Sequence, residues 1–182
     1  MKIAAEKLIT DLIESTRENI NQVEKFKEYS DEALNYKEDA SSWSVLECIE
    51  HLNLYGDYYL PEMEKNIVDS KHKANTIFKS GILGNYFANQ MLPKEGMKKM
   101  QAPKDKNPMG SQLEKSVIDR FEKQQHKTLE LLDKARHVSL TKTKTAISIS
   151  KLIKLRLGDT FRFVIYHNQR HLAQAEKVTA NL

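Results

Sequence analysis

Three of the chain's six histidines stand where they could share one metal ion. His167 and His171 are four residues apart in Tyr166-His167-Asn168-Gln169-Arg170-His171. On a helix that spacing puts both on one side, with Cβ atoms about 5–6 Å apart. His51 lies in an earlier apolar-patterned segment, Glu47-Cys48-Ile49-Glu50-His51-Leu52. Imidazoles so placed can grip a zinc ion at about 2.0–2.1 Å per nitrogen. Val164, His167, His171, Ala175 and Val178 follow at spacings of 3, 4, 4 and 3, so the pair sits on an otherwise apolar line. Such a line faces a core, where an unpartnered imidazole is costly; something polar must meet these two. A pair at this spacing also arises by chance, and buried histidines often only hydrogen-bond to a neighbour. The third histidine separates the two readings.

His51 opposite His167 and His171 would supply three neutral nitrogen ligands and leave positions open, which suits catalysis better than a purely structural site. Cys48 and Glu47 are rival fourth ligands. Cys48 is one turn before His51, but a lone buried cysteine usually acts as a small apolar filler. Glu47 is accounted for by a helix cap, described next. His72, His126 and His137 sit among charged or loop residues and are read as solvated. Arg170 and Gln174 lie one turn from ligand positions, and Gln174 is placed to orient His171.

The elements that must carry these residues are helices. Residues 2–29 read as a first helix, with Leu8, Leu12, Thr16, Ile20 and Val23 on one line. Residues 30–42 are a polar connection. Ser44-Val45-Leu46-Glu47 fits a capping box opening the second helix, with Trp43 just outside it and Pro61 expected to kink or divide it after Leu60. Residues 70–106 are broken by Gly81, Gly84, Pro93, Gly96 and Pro103, with a short helix around Ile82 to Met91. A connection that long is usually mobile or lies over a functional site. The third helix is expected from Pro108 or from a second capping box at Ser111-Gln112-Leu113-Glu114. Residues 137–157 read as poorly periodic or extended, and Asp159 or Thr160 is expected to cap the fourth helix, which runs to about Val178. Four amphipathic helices with two long connections make an all-α four-helix bundle, a single domain over 1–182.

Composition narrows the function. No apolar run approaches the roughly 20 residues that span a bilayer, and the start has no apolar signal core. One cysteine forms no internal disulfide, which agrees with the cytoplasm. The net charge of +4 hides an asymmetry: residues 1–69 carry 16 acids and 7 bases, and residues 70–182 carry 22 bases and 9 acids. Between Lys134 and Gly158 there are seven bases and no acid. No aromatic residue interleaves with those bases, so a nucleic-acid stacking platform is not indicated.

Three segments carry a resemblance. Ser42-Trp43-Ser44-Val45-Leu46-Glu47 runs on to His51-Leu52; Gly84-Asn85-Tyr86-Phe87 lies in the long connection; and Leu157-Gly158-Asp159-Thr160-Phe161 leads into His167-Asn168-Gln169-Arg170-His171-Leu172-Ala173-Gln174-Ala175. In this order they resemble the DinB-like superfamily, which includes YfiT-type metal-dependent hydrolases and bacillithiol S-transferases. The resemblance implies a four-helix bundle of that type with a divalent ion (zinc, nickel or manganese) on His51, His167 and His171. It implies either thiol transfer to an electrophile or metal-assisted hydrolysis, acting on a small molecule. The alternative is a metal- or ligand-binding sensor module without turnover. The acid-free stretch 134–158 could attract an anionic thiol. Ile9 and Ile13 beside the first helix's apolar line widen it, and proteins of this kind often pair through their bundles, so a homodimer is expected.

Overall fold

Periodicity and capping account for most of the helices in the computed structural model, which describes residues 1–93 and 101–180. Strand β1 (Lys2–Ala4) leads into α1 (Ala5–Phe26), followed by α2 (Asp31–Asn35) and α3 (Val45–Val68). Strand β2 (Ile77–Lys79) and α4 (Ile82–Met91) precede a single 3-10 turn at Lys104–Lys106. Then come α5 (Ser116–Ala135), the hairpin β3 (Lys144–Ile147) and β4 (Ser150–Arg156), and α6 (Leu157–Thr179). The four long helices form the bundle. Both α1 and α3 pack on α5 and on α6, so α1 and α3 lie across the diagonal, and α4 lies outside against α6. The fold is mostly helical, as expected, with two small antiparallel sheets added.

The buried line of α1 runs through Leu8, Leu12, Thr16, Asn19, Val23 and Phe26, with Ile20 only half-buried. That corrects the expected line. Each step of four residues overshoots a 3.6-residue turn, so repeated fours drift round the helix until a step of three restores the face. The helix also begins at Ala5, because Ile3 pairs with Phe78 in the antiparallel β1–β2 register. Ile9 is 2% exposed and Ile13 packs against the same core, so the wide stripe is covered within the chain.

At α3 the capping box is present in full: Glu47 N–H donates to Ser44 Oγ at 3.2 Å, and Ser44 N–H donates to Glu47 Oε2 at 2.9 Å. Pro61 does not divide this helix, which continues to Val68. Pro61 is on the exposed side, while Leu60, Met63 and Ile67 are buried and hold both halves to one core.

The other boundaries move for tertiary reasons. Ser111 caps nothing, and α5 opens only at Ser116. Asn35 takes both backbone groups of Leu113, donating to its carbonyl at 2.8 Å and accepting from its N–H at 3.3 Å, which keeps that residue out of the helix. Helix α6 opens at Leu157 with neither Asp159 nor Thr160 as its cap. Asp159 is turned outward from its own helix end: Gly81 N–H donates to its Oδ2 at 2.8 Å, Ser80 bonds its Oδ1, and Arg162 pairs with it at 3.1 Å. Gly84 must lack a side chain here, since a Cβ would lie 2.5 Å from Asp159 Oδ2.

Two apolar clusters fill the bundle. One is built around Leu12, Tyr59, Leu131 and Phe161, the other around Val23, Leu46, Ile118 and Leu172. Between them along the helices fall Thr16, Asn19, Asn53, Gln125 and Asn168, all buried; Asn168 donates to Gln125 at 3.0 Å. His51 and His167 enter at this polar level. Among the described residues no helix is long and apolar enough to cross a membrane.

Candidate metal centre

The cap at Ser44 fixes where α3 starts, and seven residues later it delivers His51, 3% exposed. From α6, packed beside α3, come His167, 5% exposed, and the half-buried His171. The three rings converge: their centroids are 5.0 Å (His51 to His167), 4.7 Å (His51 to His171) and 4.7 Å (His167 to His171) apart. One ligand atom from each lies within 4.8 Å of the others. His51 Nε2 and His167 Nε2 are 3.2 Å apart. Two nitrogens about 2.1 Å from a tetrahedral ion would stand about 3.4 Å apart, so this pair is close to the separation that a shared cation needs.

The outer contacts decide which nitrogens are available. His51 Nδ1 faces the Lys106 carbonyl, which can only accept, so Nδ1 carries the proton and Nε2 keeps its lone pair. His171 Nδ1 likewise donates to Gln174 Oε1 at 3.0 Å, leaving Nε2 free to ligate. Buried His167 Nδ1 has no partner among the described residues, and the ring's other nitrogen, Nε2, is the one turned to His51 and the shared point. The set is three neutral nitrogens with softness suited to zinc or nickel, and it fits a divalent metal.

The walls are aromatic. The Trp43 ring lies 4.7 Å from His51 and 5.5 Å from His171. Tyr55 sits 4.9 Å from His51 and 4.5 Å from His167, and Phe163 stacks on His167 at 5.7 Å. Burial in these walls pushes the His51 pKa down to about 4 and that of His171 down to about 3. Burial, followed by the neighbouring His171, His51 and Arg170, holds His167 well below its ordinary value. Burial also raises the Tyr55 phenol to about 12, keeping it protonated.

This has a consequence for the metal-free chain. Unfolded histidines take up protons near pH 6.5, whereas the native imidazoles stay neutral until far lower pH. The unfolded state therefore binds more protons across that window. Stability is complete above about pH 6.5 and falls as the pH drops, by about 1.4 kcal/mol per unit for each such histidine. Urea unfolding of metal-free protein should show a midpoint that declines steadily from about pH 7 to about pH 5. A constant midpoint over that range would contradict burial of the neutral rings.

Cys48 is fully buried in the second apolar cluster and is not among the converging groups; burial, then Glu47, raises its thiol pKa. Cys48→Ser is expected to leave metal content at the wild-type level while costing about 1–3 kcal/mol of stability, because a hydroxyl is desolvated there. Metal analysis beside a thermal melt checks both parts. Glu47 is occupied by the cap, by Lys37 at 2.6 Å and by the Gly110 N–H. His72, His126 and His137 are exposed. Arg170 donates to the Gln90 carbonyl at 3.2 Å, and its charge helps to keep His167 and His171 neutral.

Two contributors escaped the sequence reading. Phe163, four residues before His167, extends the histidine line by one further turn, a signal that was available. The Lys106 carbonyl had none, since any residue type offers a backbone oxygen. It does show that the end of the long 70–106 connection reaches the site; residues 94–100 of it lie outside the described residues.

Comparison with known proteins agrees with this arrangement. No curated protein and no solved structure matches the chain significantly. The family model of the DinB superfamily matches residues 12–175, a span that holds all four long helices' cores and all three histidines. With that match and the three-histidine bundle in place, the chain belongs to the DinB superfamily.

Proposed function

We propose that the chain is a metal-dependent enzyme that transfers a low-molecular-weight thiol to a small electrophile, with His51, His167 and His171 holding the divalent ion. The observation that carries this reading is the convergence of three neutral imidazoles, two of them with Nδ1 engaged so that Nε2 points its lone pair inward. A divalent ion there would supply Lewis acidity, lowering the pKa of a bound thiol or water toward neutrality. Among the described residues, the side chains recorded against the rings are Trp43, Tyr55, Phe163 and Gln174, none of them a carboxylate. Ester or amide hydrolysis usually draws on such a carboxylate as general base, whereas a thiol brings its own nucleophile. The aromatic walls exclude water and bind an apolar electrophile. Lys106 and Gln174 hold two ring orientations through their hydrogen bonds.

Untagged protein should carry about one divalent ion per chain. Loaded protein should accelerate conjugation of a thiol such as cysteine or glutathione to monochlorobimane above a His167→Ala control. Metal at that stoichiometry with ester hydrolysis and no conjugation would replace transfer by hydrolysis. Metal with neither activity would leave a binding or sensor module. A homodimer remains part of the proposal on the family resemblance alone, since α1 is covered within the chain. Light scattering giving the 21.1 kDa of one chain would remove it.

A further inference from the structure

The face of α3 that carries His51 continues beyond the metal centre. His51, Tyr55, Tyr58, Glu62 and Lys65 follow at spacings of 4, 3, 4 and 3, a single line along the helix. At 1.5 Å per residue, Tyr58 lies about 10 Å and Lys65 about 21 Å along the axis from His51. The first part of this line is aromatic: Tyr55 stacks near Tyr59 at 6.1 Å, and Tyr59 meets Tyr58 edge-on at 5.0 Å. The far part opens into a groove between α3 and the β3–β4 hairpin, lined by Tyr58, Glu62, Lys65, Lys151 and Lys154 among others.

The hairpin is seated firmly enough to place its lysines. Tyr58 donates its hydroxyl hydrogen to the Ile147 carbonyl at 3.0 Å. Ala146 N–H donates to Glu62 Oε1 at 2.8 Å, and Ser148 N–H donates to the Tyr59 hydroxyl at 3.2 Å. Glu62 Oε1 also accepts from Asn66 on its own helix at 3.0 Å, so one carboxylate oxygen is fixed between α3 and the hairpin. Several lysines elsewhere on the bundle have acids: Lys127 and Lys134 share Glu64 and Glu130, and Lys27 takes Glu122 and Asp119. Lys65, Lys151 and Lys154 have no ion-pair partner among the described residues. Three cations and one carboxylate line this concave surface, two of the cations from the acid-free stretch of the sequence, so the groove carries a net positive charge that suits an anion.

We infer that this groove binds the multiply charged oxyanion end, phosphate or polycarboxylate, of an elongated small molecule whose other end reaches the three histidines along Tyr58 and Tyr55. The inference rests on the proposed function for the reacting end alone; the oxyanion site stands on Lys65, Lys151 and Lys154. Lysine supplies compact point charges that suit an oxyanion without demanding one geometry. The aromatic line between them would be covered by the ligand's middle.

The test uses the full chain stripped of metal over a chelating resin, so that the histidines hold no ion that could bind the probe. Calorimetric titration with inorganic pyrophosphate and, separately, with tricarballylate should detect binding of at least one. Binding of pyrophosphate alone identifies a phosphoester end, and of tricarballylate alone a polycarboxylate end. Lys151→Glu/Lys154→Glu should weaken that binding at least about tenfold, as loss of two direct ligands requires, with the melting temperature retained. Lys71→Glu/Lys73→Glu, the same charge change away from the groove, should weaken it less than about threefold. Equal weakening by both pairs, or binding of neither probe, overturns the inference. So does association of the hairpin with anionic phospholipid vesicles when neither small probe binds, which would make it a membrane-facing element. Metal affinity separates this from the enzyme reading. Lys151→Glu/Lys154→Glu should load metal as wild type does, and His167→Ala should still bind the anion; a His167→Ala chain that keeps its metal sinks the metal centre and leaves the groove intact.

Discussion

His167→Ala is expected to lose tight binding of zinc or nickel, and His171→Ala to do the same. Removing an outer hydrogen-bond partner of a metal ligand already costs about 10–100-fold in affinity, so removing the ligand itself should cost more than about 100-fold. His167 faces His51 Nε2 at 3.2 Å from the neighbouring helix, so without it only two nitrogens remain, one on each of two helices. Gln174→Ala should fall in the smaller range, because His171 keeps its position on α6 and loses only the acceptor at its Nδ1. Competition titrations against a chromophoric chelator measure all three. Metal content equal to wild type in both histidine variants would remove the assignment. Without metal, His167→Ala should already lower stability by about 2–5 kcal/mol, because it empties a buried space against Tyr55 and Phe163. Supplying metal should widen the gap from wild type further, through mass-action linkage.

Asp159→Ala is expected to be the most damaging substitution away from the histidines. Asp159 is fully buried and pairs with Arg162, which is 3% exposed. Removing the carboxylate leaves a buried guanidinium uncompensated, a loss of about 3–5 kcal/mol. It also strands the Gly81 N–H and the Ser80 hydroxyl that dock the start of α4. For a chain of this size the melting temperature should fall by about 10 °C. Arg162 also donates to Asn85 and Asn89 on α4 at 3.1 Å each, so α4 should loosen from α6 first, which amide hydrogen exchange would resolve. The double variant Asp159→Ala/Arg162→Met should recover much of the loss, because it leaves no unpaired charge. A single variant melting with the wild type would show that the pair carries no such role.

The histidine pair was legible because its information is local. Four residues fix a helical turn, so Val164, His167, His171 and Ala175 announce a shared face without any knowledge of the partner helix. The capping box at Ser44 was legible for the same reason: donor and acceptor are three residues apart, and both bonds form. The short helix Ile82–Met91 stands between its breakers as read. Where the determining contact is distant, the local reading went astray. The Ser111 box is as good on paper as the Ser44 box, but Asn35, 78 residues before Leu113, holds that segment outside the helix. Asp159 reads as a cap, but the approach of Ser80 and Gly81 from the preceding connection takes its oxygens. Pro61 reads as a break, but apolar burial on both sides carries the helix past it.

By itself, then, the sequence determined helix identity, the histidine face and the absence of an acid from 134 to 158, all of which are periodic or compositional and need no partner. The tertiary structure alone decided that α3 lies beside α6 in the register that brings His51 to within 5.0 Å of His167, that a backbone carbonyl at Lys106 sets the His51 tautomer, and that the basic hairpin borders the far end of the same α3 face. These depend on which surfaces exclude water together, a property of the packed whole that no spacing along one helix encodes.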